Sequence, residues 1–395
     1  MQFALLFLVV SLGCTTAPKG EALEPQSLLI RDTETMIKPW KLESSAMKAD
    51  IDLLIYALKT AYGGRKFVPQ NQFKTSILKL EKAKEQVSST PLDFCKLLDE
   101  ALLEIQDQHL FPYLVGMNCE ALRSSRTRKG GVGSNLHSDP KKPWSYRQEF
   151  MGGKELGILM ILDFPSPEDE VWKGFSKALE KAKKTAALVI DLRGNLGGSD
   201  SRGQELAKML YGRNFSTPLY SQVKSQSAET MALLVNREKY RILALKNKKE
   251  KVPDYLLSRF EEAQRQFQLA IDGKLPRELE ELASQGPPFD KQFGYKGPVA
   301  VLIDAECASS CESTLDFLEL HPNVITIGEN TNGSIHFGNV GFIVLPSSKV
   351  VVQMASDFWK YQDGRFIEGQ GHTPKIKVVP GNDAFDVAKA QLSKL

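Results

Sequence analysis

Between Ser45 and Tyr62 the apolar residues Ile51, Leu54, Ile55, Leu58 and Ala61 recur at helical spacing, and Gly63-Gly64 ends the run. A second helix is expected over about 70–86 on the same periodicity. A third opens at Thr90-Pro91-Leu92-Asp93, a capping-box pattern with proline at the first helical position. Its apolar stripe is Phe94, Leu97, Leu98, Ala101, Leu102 and Ile105, and it ends at Asp107-Gln108-His109. Residues 45–115 are therefore expected to form an N-terminal helical domain. Residues 116–155 are rich in Gly, Ser, Lys and Arg without a clear period and predict a loop or hairpin linker.

From Gly157 the pattern changes. Gly157 to Phe164 predicts a strand, Ser166-Pro167-Glu168-Asp169 the cap of a helix running to about Lys184, and Ala187 to Leu192 a second strand. A helix follows over about 201–211, which completes a βαβα unit. About 220–285 is strongly charged and helical, densest at Arg237-Glu238-Lys239 and from Lys246 to Lys251, and predicts an inserted hairpin with solvated faces. The alternation then resumes with a strand at 299–303, a helix at 311–320 and strands at 324–328, 342–345 and 350–354. Residues 156–395 are expected to be one α/β core carrying that insertion.

Ahead of these elements, residues 3–13 form an apolar run too short to span a bilayer stably, and Cys14 follows at once. Residues 1–14 resemble a bacterial lipoprotein signal, in which the cysteine is lipidated and becomes the new N-terminus. An ordinary secretory signal cleaved near Thr16 or Ala17 is the alternative. Either implies export, with a periplasmic, envelope-bound location and a membrane anchor through Cys14 as the expectation. Residues 15–44, with Pro18, Pro25 and Pro39, form the tether.

The whole chain has 395 residues, 42% hydrophobic and 25% charged, enough for one large or two ordinary domains. Its net charge of +3 gives no reason to propose a nucleic-acid partner. Apart from Cys14 the cysteines are Cys95, Cys119, Cys307 and Cys311. An even number in an exported chain permits disulfides, the close pair Cys307 and Cys311 among them, but spacing does not assign them. No metal site is expected, because Cys307 and Cys311 lack further Cys or a His pair at zinc-site spacing.

Candidate chemistry centres on Cys307-Ala308-Ser309-Ser310-Cys311-Glu312, which follows the apolar run Val299 to Ile303. A serine at such a strand-to-helix turn sits where free backbone N–H groups and the helix dipole favour an oxyanion. The same residues also suit a plain helix cap, with Ser309 or Ser310 at the N-cap. A serine nucleophile needs a base, and the histidines are His109, His137, His321, His336 and His372. Gly-x-Ser-x-Gly is absent around Ser309, which argues against an α/β-hydrolase elbow. His137 and His321 are expected at the surface, and His372 has no assigned role.

Motifs spread along the chain weigh between cap and nucleophile. Asp191-Leu-Arg-Gly-Asn-Leu-Gly-Gly198 resembles the Asp-Leu-Arg-x-Asn-x-Gly-Gly signature of tail-specific (C-terminal-processing) and tricorn-core serine peptidases. In the same order, Leu103 to Leu110 resembles that family's Leu-x-x-Leu-x-Asp-Gly-His-Thr segment, and Ala308 to Glu312 its Ser-Ala-x-Glu nucleophile turn. Ile327 to Gly333 resembles its Gly-Glu-x-Thr-x-Gly, and Glu368 to Pro374 its Glu-Gly-x-Gly-Val-x-Pro. One glycine-rich match would be weak, whereas ordered matches from about 45 to 380 are specific.

The resemblance implies a crotonase-like (ClpP/crotonase-type) core without a PDZ domain, no cofactor, and a peptide or unfolded protein as substrate. Ser334 stands where the tail-specific branch has its lysine base, so the tricorn-like branch is implied, with Ser309 as nucleophile and His109 as general base. Glu368 would orient His109 through Gln108, and N–H groups of Gly197 or Gly198 and of Ser310 would form the oxyanion hole. His336 is the reserve base. The alternative is an inactive member of the family serving as an envelope lipoprotein scaffold or peptide-binding protein. Oligomeric state is left open.

Overall fold

A computed structural model of the chain describes residues 22–30, 39–114, 119, 142–212, 220–281, 294–379 and 381–394. The expected signal with Cys14, His137 and most of the linker lie outside the described residues. The N-terminal part contains β1 (Leu42–Glu43), α1 (Ser44–Thr60), α2 (Gln70–Ala83), β2 (Ser88–Ser89), α3 (Pro91–Leu102) and β3 (Phe111–Tyr113). As the capping pattern implies, the Thr90 side chain accepts from the Asp93 N–H and proline follows at the first helical position.

The α/β part begins with β4 (Trp144–Met151) and β5 (Lys154–Ile161), which turn at Gly152-Gly153 with φ of 59° and 81°. It continues with α4 (Phe175–Ala182), β6 (Ala187–Asp191) and α5 (Ser201–Tyr211), then β7 (Tyr220–Ser225), α6 (Ala228–Asn247), α7 (Asp254–Ile271) and β8 (Glu278–Glu281). The last stretch holds β9 (Val299–Ile303), α8 (Ser310–Leu318), β10 (Val324–Gly328), β11 (Phe337–Val344), β12 (Val351–Tyr361), β13 (Ile376–Lys377) and α9 (Ala384–Leu392).

Two sheets organise these elements. The first has the order β13-β10-β9-β6-β5-β4, parallel except for the β4 edge. Successive side chains on its strands point to opposite faces. Leu188, Ile190, Val299, Val301 and Ile303 pack in one cluster with Phe175, Leu206 and Leu315 from α4, α5 and α8. Val189, Ala300, Leu302 and Ile327 pack with Ala384, Ala388 and Leu392 from α9. Both faces are thus buried, which is why β6 and β9 are unbroken apolar runs.

The second sheet, β11-β12-β7-β8, is antiparallel, with β3 added along β12. Its core is shared. Leu54 and Leu58 of α1 and Phe94 and Leu98 of α3 lie in one cluster with Ile343, Val352 and Met354 of this sheet and Ala232 and Leu233 of α6. The N-terminal helices and the second sheet therefore stand or fall together as a packed unit, which carries the segment after α3 against residues far along the chain.

Several elements differ from the pattern read in the sequence. The charged stretch is a hairpin of α6 and α7 framed by β7 and β8, and its first helix is not solvated all round. Met231, Leu233, Val235 and Ile242 of α6 are buried, and Asn236 donates to the carbonyls of Leu28 and Phe342 at 2.7 and 3.0 Å. Among the charges of α6, Glu238 is buried and pairs with Arg237 at 2.7 Å, and the others fall on the remaining faces of α6 and on α7, which buries only Leu256. The helix expected from Ser166 starts late, because a short turn at Glu170–Trp172 and Gly174, at φ 90°, precede α4. The last two long strands extend to 337–344 and 351–361, past the apolar runs that predicted them.

One buried carboxylate joins the two halves of this unit. Asp50 of α1 accepts from the N–H groups of Ser347 and Ser348, at 2.9 and 2.7 Å, in the turn between β11 and β12. Replacing Asp50 with Ala would leave one buried and one half-buried donor without this partner. We expect Asp50→Ala to lower unfolding free energy by about 2–4 kcal/mol in urea melts. Asp52→Ala, one turn position away on an exposed face, should change it by less than about 1 kcal/mol.

Candidate active site

The loop from β6 to α5 is built by its own polar residues. Arg193, almost fully buried, donates from Nε and Nη2 to the two oxygens of Asp191 at 2.9 and 2.8 Å, and from Nη1 to Asp383 at 2.9 Å. Asp304 accepts from the Gly194 N–H, at 3.0 Å to its nearer oxygen. Asn195 donates to the Ile161 carbonyl at 3.0 Å and accepts from the Gly197 N–H at 2.8 Å. The polar residues of the Asp-Leu-Arg-Gly-Asn motif thus fix the path of the two glycines that follow.

Those glycines face the serine turn. A Cβ on Gly197 would lie 2.5 Å from the Ala308 carbonyl oxygen, 2.8 Å from the Ser310 nitrogen and 2.9 Å from Ser309 Cβ. A Cβ on Gly198 would lie 2.0 Å from the Phe164 carbonyl oxygen, and both glycines have positive φ, 93° and 130°. Only glycine fits either position. The Gly197 N–H is already taken by the Asn195 side chain.

Ser309 occupies the N-cap of α8, yet its side chain makes no capping bond. Its φ of 55° and ψ of −118° are rare for a residue with a side chain and cost on the order of 1–3 kcal/mol. The bonds around it enforce that conformation. Ala308 donates to the Asn195 carbonyl at 3.0 Å, Ser309 N–H donates to Ser334 Oγ at 3.0 Å, and Ser309 carbonyl accepts from Glu312 and Ser313 at 2.8 and 3.0 Å. Cys307 and Cys311 form a disulfide across the turn, and Cys95 pairs with Cys119.

The fully buried Glu312 holds the neighbouring loop. Its Oε1 accepts from Thr331 Oγ1 and Gly333 N–H, at 2.5 and 2.8 Å, and its Oε2 from Ser334 N–H at 2.6 Å. Ser334 Oγ, the acceptor for Ser309, also donates to Glu312 at 3.3 Å. Ser334, which the sequence marks as a candidate lost base position, is thus a strut under the serine turn. Sequence reasoning gave Glu312 and Ser334 no such role. The motif containing Glu312 was visible, but its bonding partners were not.

The second half of the site is assembled by Glu368, also fully buried. Its Oε1 accepts from the Gln108 N–H at 2.9 Å, its Oε2 from the His336 N–H at 3.1 Å, and its carbonyl from the Gln106 side chain at 2.9 Å. Glu368 therefore meets Gln108 through the backbone, so the Gln108 side chain is not needed for this link, and any residue but proline could supply it. Burial pushes the Glu368 carboxyl well above its ordinary range, and the nearby charge of Asp107 adds to the rise. Asp107 in turn accepts from Tyr62 Oη at 2.8 Å and from the His109 N–H at 2.7 Å, while the Gln353 side chain donates to the His109 carbonyl at 3.1 Å. His109 is held on both sides of its backbone.

The other histidines are otherwise employed. His336 lies with Nδ1 at 2.8 Å from the Trp359 carbonyl and with Nε2 accepting from the Ile367 N–H at 2.9 Å. With both ring nitrogens committed and burial holding its pKa below the ordinary value, it is a poor base in reserve. His321, expected at the surface, is fully buried and packs edge-on against Tyr211. Its Nδ1 accepts from the Asn323 N–H at 3.2 Å, which gives the buried ring a polar partner at the end of α8. His372 sits beside Glu319 at 3.3 Å and Asp316 at 3.7 Å. Burial alone would lower its pKa, but the bond to Glu319 and the charge of Asp316 outweigh it and raise the value. Among the described residues, no group of His, Cys, Asp or Glu is arranged to hold a metal ion.

This arrangement matches known proteins at two levels. The profile of peptidase family S41 matches residues 155–378, more than half of the chain and the span from β5 to the strand after Pro374. The structure of mature CPAF complexed with lactacystin superposes with a TM-score of 0.55 at 13% identity, covering 88% of this chain and 96% of that one. Mature CPAF alone gives 0.54 at 14%, covering 89% and 96%, and a Parabacteroides merdae protein gives 0.51 at 12%, covering 88% and 96%. At such identities these structures establish a shared α/β fold. No curated protein sequence matches the chain. The family profile, the fold and the serine turn together lead to one assignment: the chain belongs to peptidase family S41, the tail-specific and tricorn-type proteases, and is a serine peptidase.

Proposed function

We propose that the protein is an exported serine endopeptidase of the tricorn-like branch, acting on peptides or unfolded proteins through a Ser309 acyl-enzyme. Ser309 attacks the scissile carbonyl while His109 takes its proton and later returns it to the leaving amine. The amides of Gly198 and Ser310 stabilise the oxyanion, helped by the positive end of α8. Glu368 is a positioning residue, bonding the Gln108 backbone beside His109. The observation that carries this reading is the backbone of Ser309. A serine held at φ 55°, with its side chain excused from capping, has no structural task to explain the strain. The bonds from Glu368 and Asp107 to residues 108 and 109 support His109 as its partner.

The parallel β5-β6-β9-β10 sheet, with the serine at the strand-to-helix turn after β9, supports a crotonase-like core. Export is supported by the apolar run before Cys14 and by two disulfides, which persist in oxidising compartments. We place the mature protein in a bacterial envelope, anchored through lipidated Cys14. No helix among the described residues is long and apolar enough to cross a membrane.

Ser309→Ala and His109→Ala should each reduce hydrolysis of an unfolded protein by about 10⁴-fold or more, with unchanged thermal melts. A fluorophosphonate should label the wild type and not Ser309→Ala. Wild-type turnover no higher than that of the variants would remove the mechanism. For the anchor, Cys14→Ser should move the protein from the membrane to the soluble fraction of a bacterial host. A wild type already soluble would leave an ordinary secretory signal.

A further inference from the structure

Cys307 and Cys311 are both fully buried, and Ser309 is the middle one of the three residues they enclose. Cys307 belongs to the turn and Cys311 to the first turn of α8, with Cα atoms 5.3 Å apart. The disulfide thus closes a small ring whose central residue has left-handed φ. Hydrogen bonds tie the ring to its surroundings on several sides, with Ser310 Oγ donating to the Gly198 carbonyl at 2.9 Å and Cys307 N–H to the Asp304 carbonyl at 3.1 Å. Asn332 N–H donates to the Cys307 carbonyl at 2.9 Å, Ala308 to Asn195, Ser309 to Ser334, and Cys311 to the Ala308 carbonyl at 3.0 Å. Of these last four, the first three come from two loops, 194–198 and 329–334, and none of the three links the turn to α8. Along the chain the turn meets α8 through three backbone bonds, Cys311 N–H to the Ala308 carbonyl and Glu312 and Ser313 N–H to the Ser309 carbonyl. The disulfide adds a covalent cross-link that spans Ser309 and joins the turn to the helix whose N-terminus must face the oxyanion.

We propose that this disulfide is a positioning clamp for the nucleophile, so that acylation competence depends on its oxidation. The inference rests on Ser309 as nucleophile. A disulfide donor oxidises the two thiols: one thiolate attacks the donor, the second resolves the mixed disulfide, and the donor leaves as two thiols, two electrons having passed to it. The unclamped chain keeps its fold, because the strands and helices around the turn pack through Leu192, Ile303 and Leu315. It loses the fixed relation between Ser309 and the amides of Gly198 and Ser310. A peptidase built this way stays slow in a reducing compartment and becomes active after export, where disulfides form.

The test compares the rate of fluorophosphonate labelling at Ser309 with thermal stability and with the kcat and KM for a peptide substrate. The proteins are wild type, Cys307→Ser/Cys311→Ser and the control Cys95→Ser/Cys119→Ser. The first pair should lower labelling rate and kcat by about tenfold or more and leave KM within about twofold, in a protein that still melts cooperatively. The control pair should label at the wild-type rate. If the first variant does not fold, the same readings are taken on the control variant after native reduction with a phosphine and again after reoxidation with glutathione disulfide. Activity lost on reduction and regained on reoxidation supports the clamp. Equal labelling with and without the disulfide, or activity lost only in step with the melt, overturns it. A wild type that resists labelling while oxidised overturns the Ser309 mechanism itself, and the clamp with it.

Discussion

A serine does not hold φ 55° and ψ −118° unaided, and much of the surrounding structure can be understood as what keeps Ser309 there. The Asn195 carbonyl takes the Ala308 N–H, the Ser334 hydroxyl takes the Ser309 N–H, and the first turn of α8 takes its carbonyl. The Gly197 backbone then approaches so closely that a single added carbon would collide with three atoms of the turn. Each constraint costs chain entropy elsewhere, which the buried sheet and its flanking helices offset. The result is a hydroxyl at a helix N-terminus with no structural bond of its own to make.

Buried carboxylates carry most of the long-range connections. Glu312 fastens the 331–334 loop to α8, Asp304 fastens the 194 turn to the end of β9, and Glu368 fastens both His336 and Gln108. In nearly every case the donors include backbone N–H groups, which are fixed in direction and insensitive to the partner's side chain. A carboxylate satisfied in this way positions a loop more sharply than an ion pair between flexible side chains. At residue 108 the bond to Glu368 runs through the backbone and not the side chain. What matters there is the amide.

The strands β6, β9 and β10 and the helices α1, α3 and α5 were legible because their apolar spacing is dictated by burial on one face or two. The interruption at Gly174 and the buried face of α6 were not, since both depend on tertiary neighbours that local periodicity does not encode. Motifs marked Ser309, His109, Glu368 and the glycine pair as candidates. The duties of Ser334 and Glu312 could not be read from them, because a serine replacing a lysine looks like a loss until its bond to the Ser309 N–H is seen. His336 and His321 went the other way: a histidine offers no sequence signal that separates a base from a buried ring bonded or packed on every side.

The central claim is that Ser309 is acylated with His109 as its base. It is tested most directly by quenching the enzyme during turnover of an activated ester and mapping the adduct by mass spectrometry. The account predicts an acyl group on the peptide containing Ser309 in the wild type, and its near absence in His109→Ala. An adduct on another residue, or equal acylation of Ser309 without His109, would contradict it.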